Sequence, residues 1–383
     1  MLPLFVAIPL AAAFIISLIG KYYRRAGDVL ANLASFALLV LSFFALSTLS
    51  SQSSTASVYR IGGWGGIPPI GILMVLVMGS VASCFILLGI ALLYSYTSSL
   101  NMADISATLA VKGHSNIVAF ISVLFLMGFC LKAAVVPFHA WLPDAHPSAP
   151  APISAMLSGV LIKTLGIYAL CRVFFNGLGV SSALLLLLII LGIISMCIGA
   201  FLAIGQNDIK RMLAYSSISQ IGYIIFAVGI GTPLAILGGL FHLLNHAIFK
   251  SLLFLNSGAI EYTAKTRDLN QMGGLNKSLP VTGYTSLVGS MSISGIPPLS
   301  GFWSKLIIII AAIQAGYFGF AIIAVLVSIL TLAYYLKLQR YAFFGELNKK
   351  WEKIKEVPFA MKLSMVILSV ISLAGGNNFN SST

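Results

Sequence analysis

Residues 125–172 read FLMGFCLKAAVVPFHAWLPDAHPSAPAPISAMLSGVLIKTLGIYALCR, and their reading decides the fold. The stretch opens as an apolar helix that carries Lys132 and breaks at Pro137. A segment rich in Pro, His and Asp follows, from His139 to Pro152, and then a second apolar helix carries Lys163. A lysine in mid-membrane costs roughly 3 kcal/mol on insertion scales. Irregular backbone survives at membrane depth only where protein or water covers it. Two such lysines beside a broken helix therefore point to an ion path.

Outward from this stretch, the composition agrees with a membrane setting. The chain has 383 residues, of which 59% are hydrophobic and 8% charged, and its mean hydropathy is +1.02. A soluble domain carries about 25% charged residues. The net charge of +13 sits in short loops, where it sets topology rather than binding nucleic acid. Cys84, Cys130, Cys171 and Cys197 all lie in apolar runs without a CxxC pair, so they read as small core residues rather than disulfides or metal ligands. The first apolar run has no basic n-region or cleavage site and reads as a retained helix. No phosphate-binding loop, HExxH or dinucleotide glycine signature is present. The expectation is no metal and no cofactor.

A spanning helix needs about 20 apolar residues. Eleven candidates meet this: 2–20, 29–49, 70–95, 116–136, 151–175, 181–204, 209–230, 233–257, 280–315 (broken), 317–341 and 358–375. The fold class is all-α and polytopic. The ninth candidate breaks at Pro297-Pro298 and then carries Lys305, repeating the theme of apolar helix, proline break and buried lysine. Weak internal symmetry with discontinuous helices marks inverted-repeat transporters. The expected organisation is an N-terminal hairpin and connector over 1–69, a truncated first repeat over 70–204, a second repeat over 205–345, and a loop, last helix and polar tail over 346–383. The tail from Gly375 onward reads as disordered.

Two helices carry buried polar groups. The one from 209 holds Tyr215, Ser216, Ser217, Ser219 and Gln220. The one from 233 holds His242, His246 and Lys250 at intervals of four, hence on one face. Any one of these is compatible with a satisfied core group, but three titratable groups on one stripe are hard to read as packing. The proton-path candidates in chain order are Lys132, Lys163, His242, His246, Lys250 and Lys305. Tyr215, Ser216 and Ser219 are candidates to hold bridging water, and His139, Asp144 and His146 are supporting candidates in the segment after the first break.

The string Lys132-x4-Pro137-x-His139-x-Trp141-Leu142-Pro143-Asp144-Ala145-His146, followed by Ala149-Pro150 and Lys163, resembles the antiporter-like subunits of respiratory complex I, membrane-bound hydrogenases and Mrp-type sodium/proton antiporters. The resemblance covers most of 70–345. It implies inverted five-helix repeats, with Lys132 as the central lysine of an input half-channel. It further implies that Lys163, His246 and Lys250 lie on a mid-membrane polar axis, and that Lys305 leads toward an exit or a neighbouring subunit. The family has fourteen core helices, and its fifth carries a glutamate paired with the first lysine. About three helices are missing between residues 69 and 70, and the nine acidic residues all fall in expected loops or at helix ends. That glutamate has no expected counterpart.

Loop charge gives a side. The loops at 205–211, 258–279 and 340–357 hold ten basic residues, and those on the other side hold Lys112 and Arg172. The expectation is a cell-membrane protein with the Trp141–His146 loop and the 346–356 loop in the cytoplasm. Strict helix counting then puts Lys21, Arg24 and Arg25 outside, so a displaced or inverted hairpin is expected. The leading functional expectation is a subunit that moves H⁺, or Na⁺ and H⁺, within a membrane oxidoreductase or Mrp-type complex, without a redox centre of its own. Its expected partners are other membrane subunits, one of them covering the flank formed by 70–95 and 116–136, together with lipid. The alternatives are a non-conducting scaffold with a degenerate first half-channel and a stand-alone solute carrier.

Overall fold

Residues 59–60, 66–67, 69–113, 115–161, 163–346, 348–352 and 354–380 are described by a computed structural model of the chain. The expected spans 2–20 and 29–49, the hairpin orientation and the charges at Lys21, Arg24 and Arg25 lie outside these residues. After a two-residue antiparallel pairing of Tyr59–Arg60 with Gly66–Ile67, the regular elements among the described residues are helices. The helices are α1 (Pro69–Thr97), α2 (Met102–Lys112), α3 (Asn116–Ala133) and α4 (Leu142–Ser148). Then come α5 (Ala151–Leu178), α6 (Ser182–Ile204), α7 (Ile209–Ile230) and α8 (Pro233–Ala264). The last are α9 (Pro280–Ser294), α10 (Ser300–Gln314), α11 (Phe318–Leu338) and α12 (Phe359–Asn380).

Among the described residues, eight helices are long and apolar enough to cross a membrane. The shorter apolar helix α10, with α9 ahead of it, occupies the expected broken span, so each of the nine segments expected from 70 onward is helical. The architecture is an all-α, multi-pass membrane fold.

The differences from the sequence reading lie in what joins the spans. The expected loop at 96–115 contains α2, which Asn101 caps by accepting from the Ala103 N–H. The Pro/His/Asp segment folds into the short helix α4. The span α5 is not a regular α-helix: π turns occupy Leu157–Leu161, Lys163–Tyr168 and Phe174–Leu178. The helix α8 runs two turns past its expected end at 257, so Glu261 is helical rather than in a loop. The tail is not coil from Gly375, because α12 continues to Asn380.

The helix α7 organises the rest. In its most apolar stretch 94% is buried, against 11% for α1. Its Ile218, Ile221, Ile224, Ile225 and Val228 enter a core shared with α3 and α5. Its Met212, Leu213, Tyr223, Phe226 and Ala227 enter another shared with α8, α10 and α11. A helix buried on all sides has no solvent face on which to place polar groups, so its serines and Gln220 must find partners inside. Close approach to α6 is made by glycines on both helices: a Cβ at Gly192, Gly199, Gly222 or Gly229 would lie under 3.0 Å from backbone of the other helix. Small residues let membrane helices gain van der Waals contact where the hydrophobic effect gives no drive.

Candidate ion-path site

The second break builds one half of the site. The helix α9 ends at Ser294 because Gly295 turns left-handed, with φ +83°. The chain resumes helically at Ser300, where Asn245 Nδ2 on α8 donates to the Ser300 carbonyl at 3.0 Å. The Lys305 ammonium donates to the Ser294 carbonyl at 3.5 Å and to Ser328 Oγ on α11 at 3.0 Å. It also lies 4.8 Å from the centroid of the Tyr223 ring. The C-terminal carbonyls of a helix carry partial negative charge, so the broken end of α9 favours a cation where Lys305 sits.

Lys250 forms the other pole. It is fully buried, and its ammonium donates to the Leu213 carbonyl at 2.6 Å, to Ser216 Oγ, and to the Tyr335 hydroxyl at 3.3 Å. Ser216 and Tyr335 are themselves 2.8 Å apart. Between the poles lies His242. Its Nε2 meets Gln220 Oε1 at 3.1 Å, and its Nδ1 meets Ser304 Oγ at 2.9 Å, one residue before Lys305. The Tyr334 hydroxyl is close to both Ser216 and Gln220 but at hydrogen-bond geometry to neither. It therefore stands at the one-turn gap between the Lys250 group and the His242 group. His246 continues the stripe, its ring 6.4 Å from His242 and 5.3 Å from Phe249.

The first break builds a different environment. Lys132 sits one residue before the end of α3, and its ammonium donates to Ser83 Oγ on α1 at 3.1 Å. It lines a cavity of about 150 Å³ whose other walls are apolar, among them Val75, Trp141, Leu157 and Leu165. No carboxylate pairs with Lys132 among the described residues. Trp141 Nε1 donates to the Leu131 carbonyl at 3.2 Å, and the Val136 N–H donates to Ser195 Oγ at 3.0 Å, so the break is held from both sides. Lys163 lies in the π turn of α5, and its side chain is outside the described set. The breaks themselves fall just ahead of the prolines: α3 ends four residues before Pro137, and α9 ends three before Pro297.

The remaining candidates have other surroundings. Asp144 pairs with Arg211 at 3.2 Å. His146 is buried with its ring 4.5 Å from Phe254, and His139 is half-buried beside the first break. Ser219 donates to the Met196 carbonyl at 2.9 Å, which ties α7 to α6. Tyr215 packs against both cores. The structure thus brings His242, Lys250, Ser216 and Lys305 into one buried polar seam with the His246 ring beside it, and leaves Lys132, Asp144 and Ser219 away from it.

Sequence reasoning missed Tyr334, Tyr335 and Ser328 on α11. Ser328 and Tyr335 are seven apart, two helical turns, and that spacing on an otherwise apolar helix was the available signal. It also missed a surface network. Lys210, 2% exposed, pairs with Glu261 at 2.8 Å and donates to the Ala149 carbonyl at 3.0 Å. Arg267 pairs with Asp208 at 3.2 Å and donates to the Pro147 carbonyl. These contacts clamp the 147–149 chain to the ends of α7 and α8.

The family described as NADH:quinone oxidoreductase/Mrp antiporter, transmembrane, matches residues 71–331. The chain is 38% identical over 296 residues to an Na(+)/H(+) antiporter subunit of Alkalihalophilus pseudofirmus, covering 76% of this chain and 58% of that protein. It is 32% identical over 335 residues to an NADH-quinone oxidoreductase subunit of Desulforudis audaxviator, covering 83% of this chain and 67% of the relative. Among solved structures, a chain of the Mrp complex from Dietzia sp. superposes with a TM-score of 0.78 at 28% identity, over 98% of this chain and 81% of that one. The first of these relatives is thus spanned over less than two thirds of its length.

Proposed function

The chain belongs to the NADH:quinone oxidoreductase/Mrp antiporter transmembrane family, and from that premise we propose that it moves protons, alone or in exchange for Na⁺, as one subunit of a multi-subunit membrane complex. The ion path in this reading is the seam from Lys250 through Ser216, Tyr335, Tyr334, Gln220, His242 and Ser304 to Lys305. The single observation that carries it is the alignment of two hydrogen-bonded groups, Lys250–Ser216–Tyr335 and Gln220–His242–Ser304, across four helices inside an otherwise apolar core, with the Tyr334 hydroxyl between them. Hydroxyls and imidazoles both accept and donate, so a proton entering at one end releases another further on. Bridging water completes the gap at Tyr334. In this reading the Trp141–His146 turn and the 346–356 loop lie in the cytoplasm, which the excess of basic residues in the loops of that side supports, and the α1–α3 flank faces a neighbouring subunit.

The test is translocation by the assembled complex in sealed vesicles. Lys250→Met and Lys305→Met each lower the rate by roughly ten-fold or more, the scale of one lost proton-transfer group, while the purified complex keeps its subunits. Unchanged rates in both variants overturn the proposal. Lys163 belongs to the same path as a proposal from its place in the motif.

One observation favours a second reading for the first half only. Lys132 has a serine and apolar walls where the family places a glutamate. A half-channel without that counter-charge does not conduct by itself, so conduction runs from Lys163 to Lys305. Lys132→Ala then changes the rate by less than about two-fold, well short of the loss expected of a proton-transfer group. A loss as complete as that of Lys250→Met overturns this reading.

A further inference from the structure

One face of α9 carries a hydroxyl every fourth residue: Thr282, Ser286, Ser290 and Ser294. All four are buried, at 0%, 1%, 1% and 5% exposure. At about 1.5 Å per residue the stripe is roughly 18 Å long, more than half the thickness of a bilayer core. Its outer end meets a carboxylate. Glu356 Oε1 accepts from Thr282 Oγ1 at 2.8 Å, and Oε2 accepts from the Val281 N–H at 2.9 Å. Its inner end is Ser294, whose carbonyl accepts from the Lys305 ammonium. The stripe therefore joins the face carrying the 346–356 loop to the buried lysine, away from the Lys250–His242 seam.

A row of small hydroxyls alone is compatible with helix packing, but the amides beside this row are not. Gln339, 4% exposed, reaches from the end of α11 and donates through Nε2 to Ser286 Oγ at 3.0 Å and Ser290 Oγ at 2.8 Å. Its Oε1 is buried and has no partner among the described residues. Asn256 on α8, 2% exposed, accepts from Thr285 Oγ1 at 3.0 Å, and its Nδ2 is likewise buried without a partner. An unsatisfied buried amide atom costs about 1–3 kcal/mol, and water is the usual partner where the site is polar. One acceptor open on the stripe and two donor hydrogens open beside it at Thr285 fit a file of water. Gln339 also lines an open cavity of about 530 Å³ between α9 and α11, together with Lys337, Arg340 and apolar side chains.

We propose that this stripe, with Gln339 and Glu356, is a hydrated proton route between the 346–356 loop face and Lys305. The inference rests on the translocation reading above and adds a separate access to its terminal lysine. A proton leaves the Glu356 carboxyl. Each water or hydroxyl oxygen in turn takes one proton and gives up another, and the last is taken by the Lys305 amine when that amine is neutral. The carboxylate is recharged from solvent.

Two measurements on the assembled complex test it, in a background with the four native cysteines replaced. The first is chemical access. Ser290→Cys reacts with a small water-soluble thiol reagent applied from the 346–356 side at least about ten-fold faster than Ile293→Cys, because only the thiolate reacts and Ile293 lies in the dry core. Equal reactivity at 290 and 293 means that the stripe is dry, and the inference falls. The second is rate. Glu356→Gln and Gln339→Leu each slow translocation several-fold, and Gln339→Asn recovers part of the loss. If Lys305→Met stops translocation but neither Glu356→Gln nor Gln339→Leu slows it, this route is wrong and the translocation reading stands. If Lys305→Met has no effect, the reading itself fails, and the reactivity of position 290 then reports a water pocket without transport.

Discussion

At the scale of the residue, cations here differ in what they are given to face. Among the described residues, Lys305 and Lys250 meet carbonyls, hydroxyls and ring faces fixed by packed helices. Lys210 faces Glu261, a carboxylate that is itself 40% exposed. The first arrangement offers groups that can solvate an ammonium and also accept its proton. The second pairs opposite charges, and its use is structural. Removing one partner of a mostly buried pair strands the other, and the exposed side of Glu261 softens that penalty. Glu261→Gln therefore lowers thermal stability by about 1–2 kcal/mol. Lys210→Met costs less, because Glu261 keeps Arg267 at 3.8 Å. The double variant is no less stable than Glu261→Gln alone. Thermal unfolding of the purified protein measures all three, and equal losses for both single variants count against the clamp.

At the scale of the element, the pair α6–α7 is held by four glycines that a side chain cannot replace. Gly199→Val sets carbon against the Ser219 backbone, and such overpacking costs typically 1–3 kcal/mol. It also displaces α7, so the loss of translocation in Gly199→Val exceeds what the stability change accounts for. The comparison is Gly319→Ala on α11, where nothing lies within 4 Å of the added carbon. That change is neutral or slightly stabilising, since Ala is the better helix former by up to about 1 kcal/mol. If Gly199→Val is as mild as Gly319→Ala, close approach is not what fixes α7. The π turns in α5 belong to the same scale. They appear as single turns at functional sites in helices generally, and here one of them begins at Lys163.

At the scale of the whole molecule, the two halves are unequal. The second half closes around α7 and α8 and buries its polar groups. On the first half, α1 leaves Leu87, Leu88 and Tyr94 exposed, with Cys84 exposed on the same helix. With a neighbouring subunit on this flank, a membrane-permeant maleimide labels Cys84 in the isolated chain but not in the intact complex. Equal labelling in both assigns the flank to lipid.

What the sequence by itself determined is whatever depends on local composition. The spans from 70 onward, the two proline breaks and the four-residue spacing of His242, His246 and Lys250 were all legible. Hydropathy and helical period are properties of a single segment, and proline acts on its own neighbours. Membership of the family was legible too, from one long motif. The tertiary structure decided which polar groups meet. No segment records that Gln220 on α7 turns to His242 on α8, or that Tyr335 on α11 arrives beside Lys250. Those contacts join residues 22 and 85 positions apart and depend on how the helices cross. It also decided that Ser219 bonds a backbone carbonyl of α6 while Ser216 meets Lys250, although the two lie three residues apart on one helix. A helix buried on every side has no outer face to tell them apart by pattern. Only the identity of the neighbour, a backbone carbonyl for one and a lysine for the other, separates them.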